Sequence, residues 1–141
     1  MSYLLDTCVL SEFSKKKPAP AVVGWMEGQP EEMLFTSAIV LGELARGVAL
    51  LPPGSKKRQL TAWLHNELRQ RFAERAVGIC ALVALKWGDL SGEAAGRGIT
   101  VSMADGLIGA TAIVHSMTVV TRNVDDLAAT GARVLNPWED A

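Results

Sequence analysis

The sequence predicts an α/β domain with a central, largely parallel sheet of four to five strands flanked by helices. Short apolar runs of strand length recur along the chain: Tyr3-Leu4-Leu5, Met33-Leu34-Phe35-Thr36, Val77-Gly78-Ile79-Cys80 and Thr118-Val119-Val120-Thr121. Between them lie longer segments whose apolar residues keep helical spacing. Strands separated by helices pair in parallel through crossover connections, with the helices covering the sheet.

Residues 2–5 read as the first strand, which stops on Asp6, and a short helix or turn follows to about Phe13. Pro18 and Pro20 interrupt the chain, and residues 21–27 fit a short helix. Residues 33–36 form the second strand, after which the Ser37 hydroxyl can accept from free amides and cap a helix. That helix carries Leu41, Leu44, Val48 and Leu51 on one stripe, and Pro52-Pro53-Gly54 ends it. The next amphipathic segment aligns Leu60, Trp63, Leu64, Leu68 and Phe72. A third strand over 77–80 leads into a helix from Ala81 to about Ala95, with Val83, Trp87, Leu90 and Ala94 in phase. Gly96, Gly98 and Ile99 break the chain before a helix that Ser102 can cap, running through Asp105 to about Ser116. Residues 118–121 give the fourth strand, 125–129 a short helix and 133–135 an edge strand. Neither a repeat nor a linker interrupts this pattern, so residues 1–141 are expected to form one domain.

Composition narrows the function classes. The chain has 141 residues, 49% of them apolar and 21% charged, enough for a core of ordinary size. No apolar run approaches the ~20 residues of a membrane span. The N-terminus lacks a basic region and meets Asp6 too early for a secretory signal, so a cytoplasmic protein without a membrane partner is expected. Cys8 and Cys80 form neither a disulfide framework nor a metal spacing, which suits a reducing compartment. The net charge of -1 announces no bulk attraction to nucleic acid. Lys15 to Lys17, Lys56-Lys57-Arg58 and the set Arg69, Arg71 and Arg75 can still bind phosphates locally; the plainer reading is a solvated loop and helix face. Trp63 and Trp87 fit apolar helix faces, and Trp138 after Asn136-Pro137 is expected to pack the tail onto the domain.

Three acids carry the chemistry. Asp6 stands at the carboxyl end of the first strand, Glu43 in the second turn of its helix and Asp105 in the first turn of its own. In parallel sheets ligands bind beyond the carboxyl ends of the strands, where strand order reverses. Each acid alone has a plain structural reading: Asp105 as a helix-start charge, Glu43 as a surface partner of Arg46 one turn on. Together, among apolar and small residues, they form a set of oxygen ligands that repel one another and suit a hard cation, Mg²⁺ or Mn²⁺, rather than zinc. Neither His65 nor His115 lies near them in the pattern, and no glycine-rich phosphate loop is present. Phosphoryl-transfer chemistry is what such a centre does best.

The blocks Leu5-Asp6-Thr7-x-Val9-Leu10-Ser11-Glu12, Ser37-x-Ile39-x-x-x-Glu43-Leu44-x-x-Gly47, Ala104-Asp105-x-x-Ile108-x-Ala110-Thr111-Ala112, Thr121-Arg122-Asn123 and Asn136-Pro137-Trp138 resemble the PIN-domain ribonucleases. The nearest branch is the VapC-like and FitB-like toxins of bacterial toxin–antitoxin pairs. The resemblance spans the chain in order. It implies a single PIN domain, Mg²⁺-dependent endonucleolytic cleavage of RNA, a homodimer, and a cognate antitoxin whose C-terminal segment enters the active site. Operator DNA would be bound only through that antitoxin.

On the same resemblance Asp6, Glu43 and Asp105 match the acidic cluster, with Asp6 and Asp105 the usual metal ligands. Asn123 stands where the family often has a fourth acid, and Asp126, or Asp125 beside it, can supply that carboxylate from the next helix. Cys8 replaces the asparagine usual two residues after the first Asp, and a thiol is expected to be a poor substitute for an amide. Thr7 and Thr121 are expected to hold waters or phosphate oxygens, and Lys15 to Lys17 to touch RNA backbone. A haloacid-dehalogenase-type phosphatase needs an Asp where Cys8 stands, and a receiver-like domain needs one where Cys80 stands. The remaining alternative is an inactive PIN domain that acts as a binding or regulatory partner.

Overall fold

Strand β1 (Ser2–Leu5) occupies the middle of the sheet, and its Leu4 and Leu5 are fully buried. The computed structural model describes residues 1–139; the last two residues of the expected 1–141 domain lie outside them. Four further strands complete the sheet: β2 (Leu34–Ser37), β3 (Ala76–Val77), β4 (Met117–Val120) and β5 (Val134–Leu135). Their order is β3-β2-β1-β4-β5 and every pairing is parallel. The chain therefore winds outward from β1 to one side, then returns to build the other side. The reversal falls between β1 and β4, where Leu5 stands beside Val120.

The helices are α1 (Thr7–Glu12), α2 (Pro20–Glu27), α3 (Ala38–Ala49), α4 (Ser55–Ala62), α5 (Arg69–Arg71), α6 (Ala81–Gly96), α7 (Met103–Val114) and α8 (Val124–Ala128). Between α4 and α5 the backbone widens into a π-helical stretch, Trp63–Leu68. Leu64, Leu68 and Phe72 still reach the core from this segment, as their spacing predicts. Helix α7 is the most buried: every residue from Gly106 to Ala112 is inside. It lies against α6, where Val83, Leu90 and Ala110 form a small second core.

Several expectations shift. The third strand was expected over residues 77–80, but β3 ends at Val77. Its partners are Thr36 and Ser37, and Ser37 turns out of the sheet, its hydroxyl accepting from the Val40 N–H at 3.2 Å to start α3. Gly78, Ile79 and Cys80 are left exposed, with Cys80 preceding α6. In α3 the buried positions are Val40 and Leu44, while Leu41 and Val48, and Leu51 just beyond the helix, are half-buried. Helix α7 stops before Ser116, whose φ of 56° turns the chain into β4.

The arginine set is structural at two of its three members. Arg71 Nε and Arg75 Nη2 lie 2.8 and 2.9 Å from Glu31 Oε2, and both guanidinium groups cover the Phe72 ring. Hydrogen bonding from Arg71, joined by Arg75, holds the Glu31 carboxyl down to about 2. These two side chains clamp the turn before β2 and are engaged there rather than offered to phosphate. Lys15 is likewise paired, with the buried Glu12 at 2.5 Å. Trp138 packs against the main core, as expected of the tail.

Helix α7 can sit this deep because of its glycines. A Cβ on Gly106 would fall 2.7 Å from the Trp87 ring, and one on Gly109 would fall 2.2 Å from Thr130 Oγ1. Gly109→Ala is expected to overpack the contact with the segment after α8, costing about 1–3 kcal/mol. The shift of the urea unfolding midpoint measures it.

Candidate active site

Asp6 is the residue at which β1 ends and α1 begins. Its peptide N–H donates to the Val120 carbonyl at 3.0 Å, so the backbone still belongs to the sheet. Its side chain already caps α1: Oδ1 accepts from the Thr7 N–H at 2.8 Å. Oδ2 accepts from the Thr121 hydroxyl at 2.8 Å, across the point where strand order reverses. With only 4% of its surface exposed, the carboxylate needs these donors to replace lost water.

Thr121 extends the tie. Its Oγ1 accepts from the Asn123 N–H at 2.9 Å, fixing the bend that starts α8. Cys8 Sγ lies 3.5 Å from the same oxygen and accepts from the Arg122 N–H at 3.4 Å. The hydroxyl proton of Thr121 is already engaged with Asp6, so the thiol takes the donor role toward Oγ1. Cys8 thus contacts the loop at both Thr121 and Arg122.

Glu43 comes to the same rim from α3. Its Oε1 accepts from the Thr7 hydroxyl at 2.8 Å, and it makes no ion pair with Arg46 among the described residues. Asp105 arrives from the first turn of α7, where its N–H donates to the Ser102 cap at 3.1 Å. Desolvation raises the pKa of both acids. Hydrogen bonding from Thr7 and Ser102 opposes that rise, and the charge of Asp6 adds to it in both cases. Asp105 also acts on Glu43, and Asp126 on Asp105. The charges of Asp6, Asp105 and Asp126 thus act at this rim, and Glu43 and Asp105 are the two acids whose protons are held more tightly.

Among the alternatives for the fourth carboxylate, Asp126 is the one whose charge reaches Asp105. Both Asp125 and Asp126 line a cleft of about 480 Å³ with Asp105 and Ser102. Asn123 is exposed before α8 and its side chain caps nothing. The hydroxyls of Thr7 and Thr121 donate to Glu43 and Asp6, respectively. Among the described residues no three His, Cys, Asp or Glu side chains are gathered tightly enough to hold an ion as they stand. The donor set is nonetheless all oxygen, and its mutual repulsion is what a hard cation relieves.

Sequence reasoning missed two features near the site. The Arg122 guanidinium stacks on the Trp138 ring, 4.1 Å from its centre, tying the tail to the loop after β4. A cleft of about 240 Å³ also opens beside Glu43, with Trp63 in its wall. Trp63 reads in the sequence as one more member of an apolar stripe, so nothing there marked it. A larger cleft of about 560 Å³, along α4 and its π-helical continuation, holds none of the acids.

A family model for the PIN domain matches residues 3–132. The VapC ribonuclease Y4jK of Sinorhizobium fredii is 36% identical over 138 residues, covering 98% of this chain and 99% of its own. The toxin FitB of Neisseria gonorrhoeae is 39% identical over 137 residues, covering 97% of this chain and 99% of its own. A solved structure of FitAB bound to an IR36 DNA fragment superposes with a TM-score of 0.89 at 37% identity, over 97% of this chain and 96% of that one.

The raised acids make a pH prediction. The unfolded chain releases the Glu43 proton in the ordinary range, about 4, while the folded chain holds it to higher pH. The ionised residue therefore opposes folding at neutral pH, and that cost vanishes as pH falls below the ordinary range. In chelator, Glu43→Gln is expected to raise Tm by a few degrees at pH 7 and to change nothing at pH 3. Thermal melts across that interval check it.

Proposed function

This chain belongs to the PIN-domain family, and on that premise we propose that it is a metal-dependent endoribonuclease, the toxin of a bacterial toxin–antitoxin pair. The observation that carries the reading is the placement of Asp6, Glu43 and Asp105 at the switch point of a parallel sheet, where the charge of Asp6 reaches both Glu43 and Asp105. Asp6 and Asp105 would hold Mg²⁺ or Mn²⁺, with Glu43 completing the set and Asp126, rather than Asn123, adding the fourth charge. The bound ion supplies charge stabilisation for the phosphate and a more acidic water.

The protein's own part is positioning and proton handling. Asp6 is locked by two donors, so its carboxylate cannot swing away from the rim. Thr7 holds Oε1 of Glu43 and leaves Oε2 free. That oxygen is suited to take a proton from the attacking water, because desolvation has raised the affinity of the group. Lys16 and Lys17, exposed beyond α1, are available to RNA backbone phosphates, whereas Lys15 is held by Glu12. We further propose that the protein works in the cytoplasm as a homodimer, inhibited by a cognate antitoxin that blocks this rim and carries operator DNA. FitAB on a DNA fragment is the supporting parallel. Among the described residues no helix is long and apolar enough to cross a membrane.

Asp6→Asn tests the reading, since Asn caps a helix as well as Asp and should leave the fold intact. It is expected to lose more chelator-sensitive RNA cleavage than the roughly 10–100-fold typical when an outer partner of a ligand is removed. Thr121→Val, which removes such a partner of Asp6, should fall within that range. Full activity of Asp6→Asn overturns the assignment, and an intact wild-type protein that cuts no RNA returns the chain to an inactive, regulatory PIN domain.

A further inference from the structure

We propose that the cleft between α1, α3 and α4 is a subsite for one unstacked nucleobase of the RNA strand, beside the scissile phosphate. The inference rests on the ribonuclease reading and adds to it the part of the substrate recognised on this flank. The cleft begins at one of the acids, since Glu43 lines it together with Thr7, its hydrogen-bond partner at 2.8 Å. A strand whose phosphate lies at the acidic rim must send its neighbouring base somewhere, and this is an opening contiguous with Glu43. Its volume of about 240 Å³ is below the roughly 300–1,000 Å³ of clefts that take a drug-sized ligand. That size suits one ring system rather than a whole nucleotide.

The lining suits a base as well as the size does. Trp63 contributes an aromatic surface, and single-stranded RNA is read by stacking splayed bases on such rings and bonding their edges. Ser11 and Lys56 bring side-chain donors that engage no partner among the described residues. Trp63 is also where the helix leaves α geometry for the π-helical stretch Trp63–Leu68, a rare departure that recurs at functional sites.

Gly47 gives the independent argument. It lies inside α3, where glycine is a poor helix former compared with alanine. Neither a positive φ nor a close backbone requires it: a Cβ there would meet nothing within 4 Å. What the missing side chain does is keep the cleft open, because Gly47 is part of its wall. A larger residue at this position would fill the space without disturbing the core.

The test uses the full chain, Mg²⁺ and an RNA library with randomised positions, with cleavage ends mapped by sequencing. The wild-type protein is expected to show one base enriched at a fixed position from the cut. Gly47→Leu is expected to flatten that enrichment and lower kcat/KM about tenfold or more, the scale on which a filled pocket discriminates, with its thermal melt preserved. Lys56→Ala, an exposed change, should raise KM severalfold at unchanged kcat, and it decides the matter if Gly47→Leu fails to fold. An unaltered base pattern and rate in Gly47→Leu overturns the subsite while leaving the ribonuclease reading intact, and it hands the cleft to a protein side chain or to no ligand. A wild-type pattern without base preference also overturns it. No cleavage by the wild type removes the ribonuclease reading and the subsite together.

Discussion

The hydrogen bonds around the Asp6 carboxylate are the constraint on which the rest of the molecule depends. One oxygen starts α1 through the Thr7 N–H, and the other reaches across the sheet to the Thr121 hydroxyl. Through Thr121 the tie continues to the Asn123 N–H and so to the start of α8. A buried carboxylate without donors would be severely destabilising; with them it joins two strand ends and two helix starts. Cys8, bonded to the Thr121 hydroxyl and the Arg122 N–H, braces the same loop from α1.

The rim built on this tie works against the stability of the fold. Glu43 and Asp105 are drawn into partial desolvation and into the field of Asp6, and both hold their protons more tightly as a result. Thr7 and Ser102 offset part of that cost by hydrogen bonding. Such an arrangement has no structural benefit, and groups of this kind gather where function requires them. The close packing of α7 is part of the same design, since Gly106 and Gly109 let the helix settle against Trp87 and Thr130. Asp105 is carried on the first turn of that deeply held helix.

Charged residues away from the rim behave differently. Arg71 and Arg75 close on Glu31 and cover Phe72, and Lys15 closes on the buried Glu12. These pairs hold the turn before β2 and the loop after α1. In the sequence they are simply basic clusters, as available to a phosphate as any other. Their partners stand on separate elements in the case of Glu31, and pattern alone carries no information about such encounters.

The sequence by itself determined the order of strands and helices, the caps at Ser37 and Ser102, the burial of β1 and the position of Asp6 at a strand end. These follow from periodicity, capping chemistry and chain breaks, which act between residues a few positions apart. Tertiary structure decided which strand ends meet. Only the order β3-β2-β1-β4-β5 puts Thr121 beside Asp6, brings the charge of Asp126 to Asp105 and sets Trp63 in a cleft with Glu43. It also shortened β3, because Ala38, which would have paired with Gly78, is already the first residue of α3. Distances between elements depend on sheet order and on how closely side chains let the layers approach, and neither quantity is written in any local stretch of the chain.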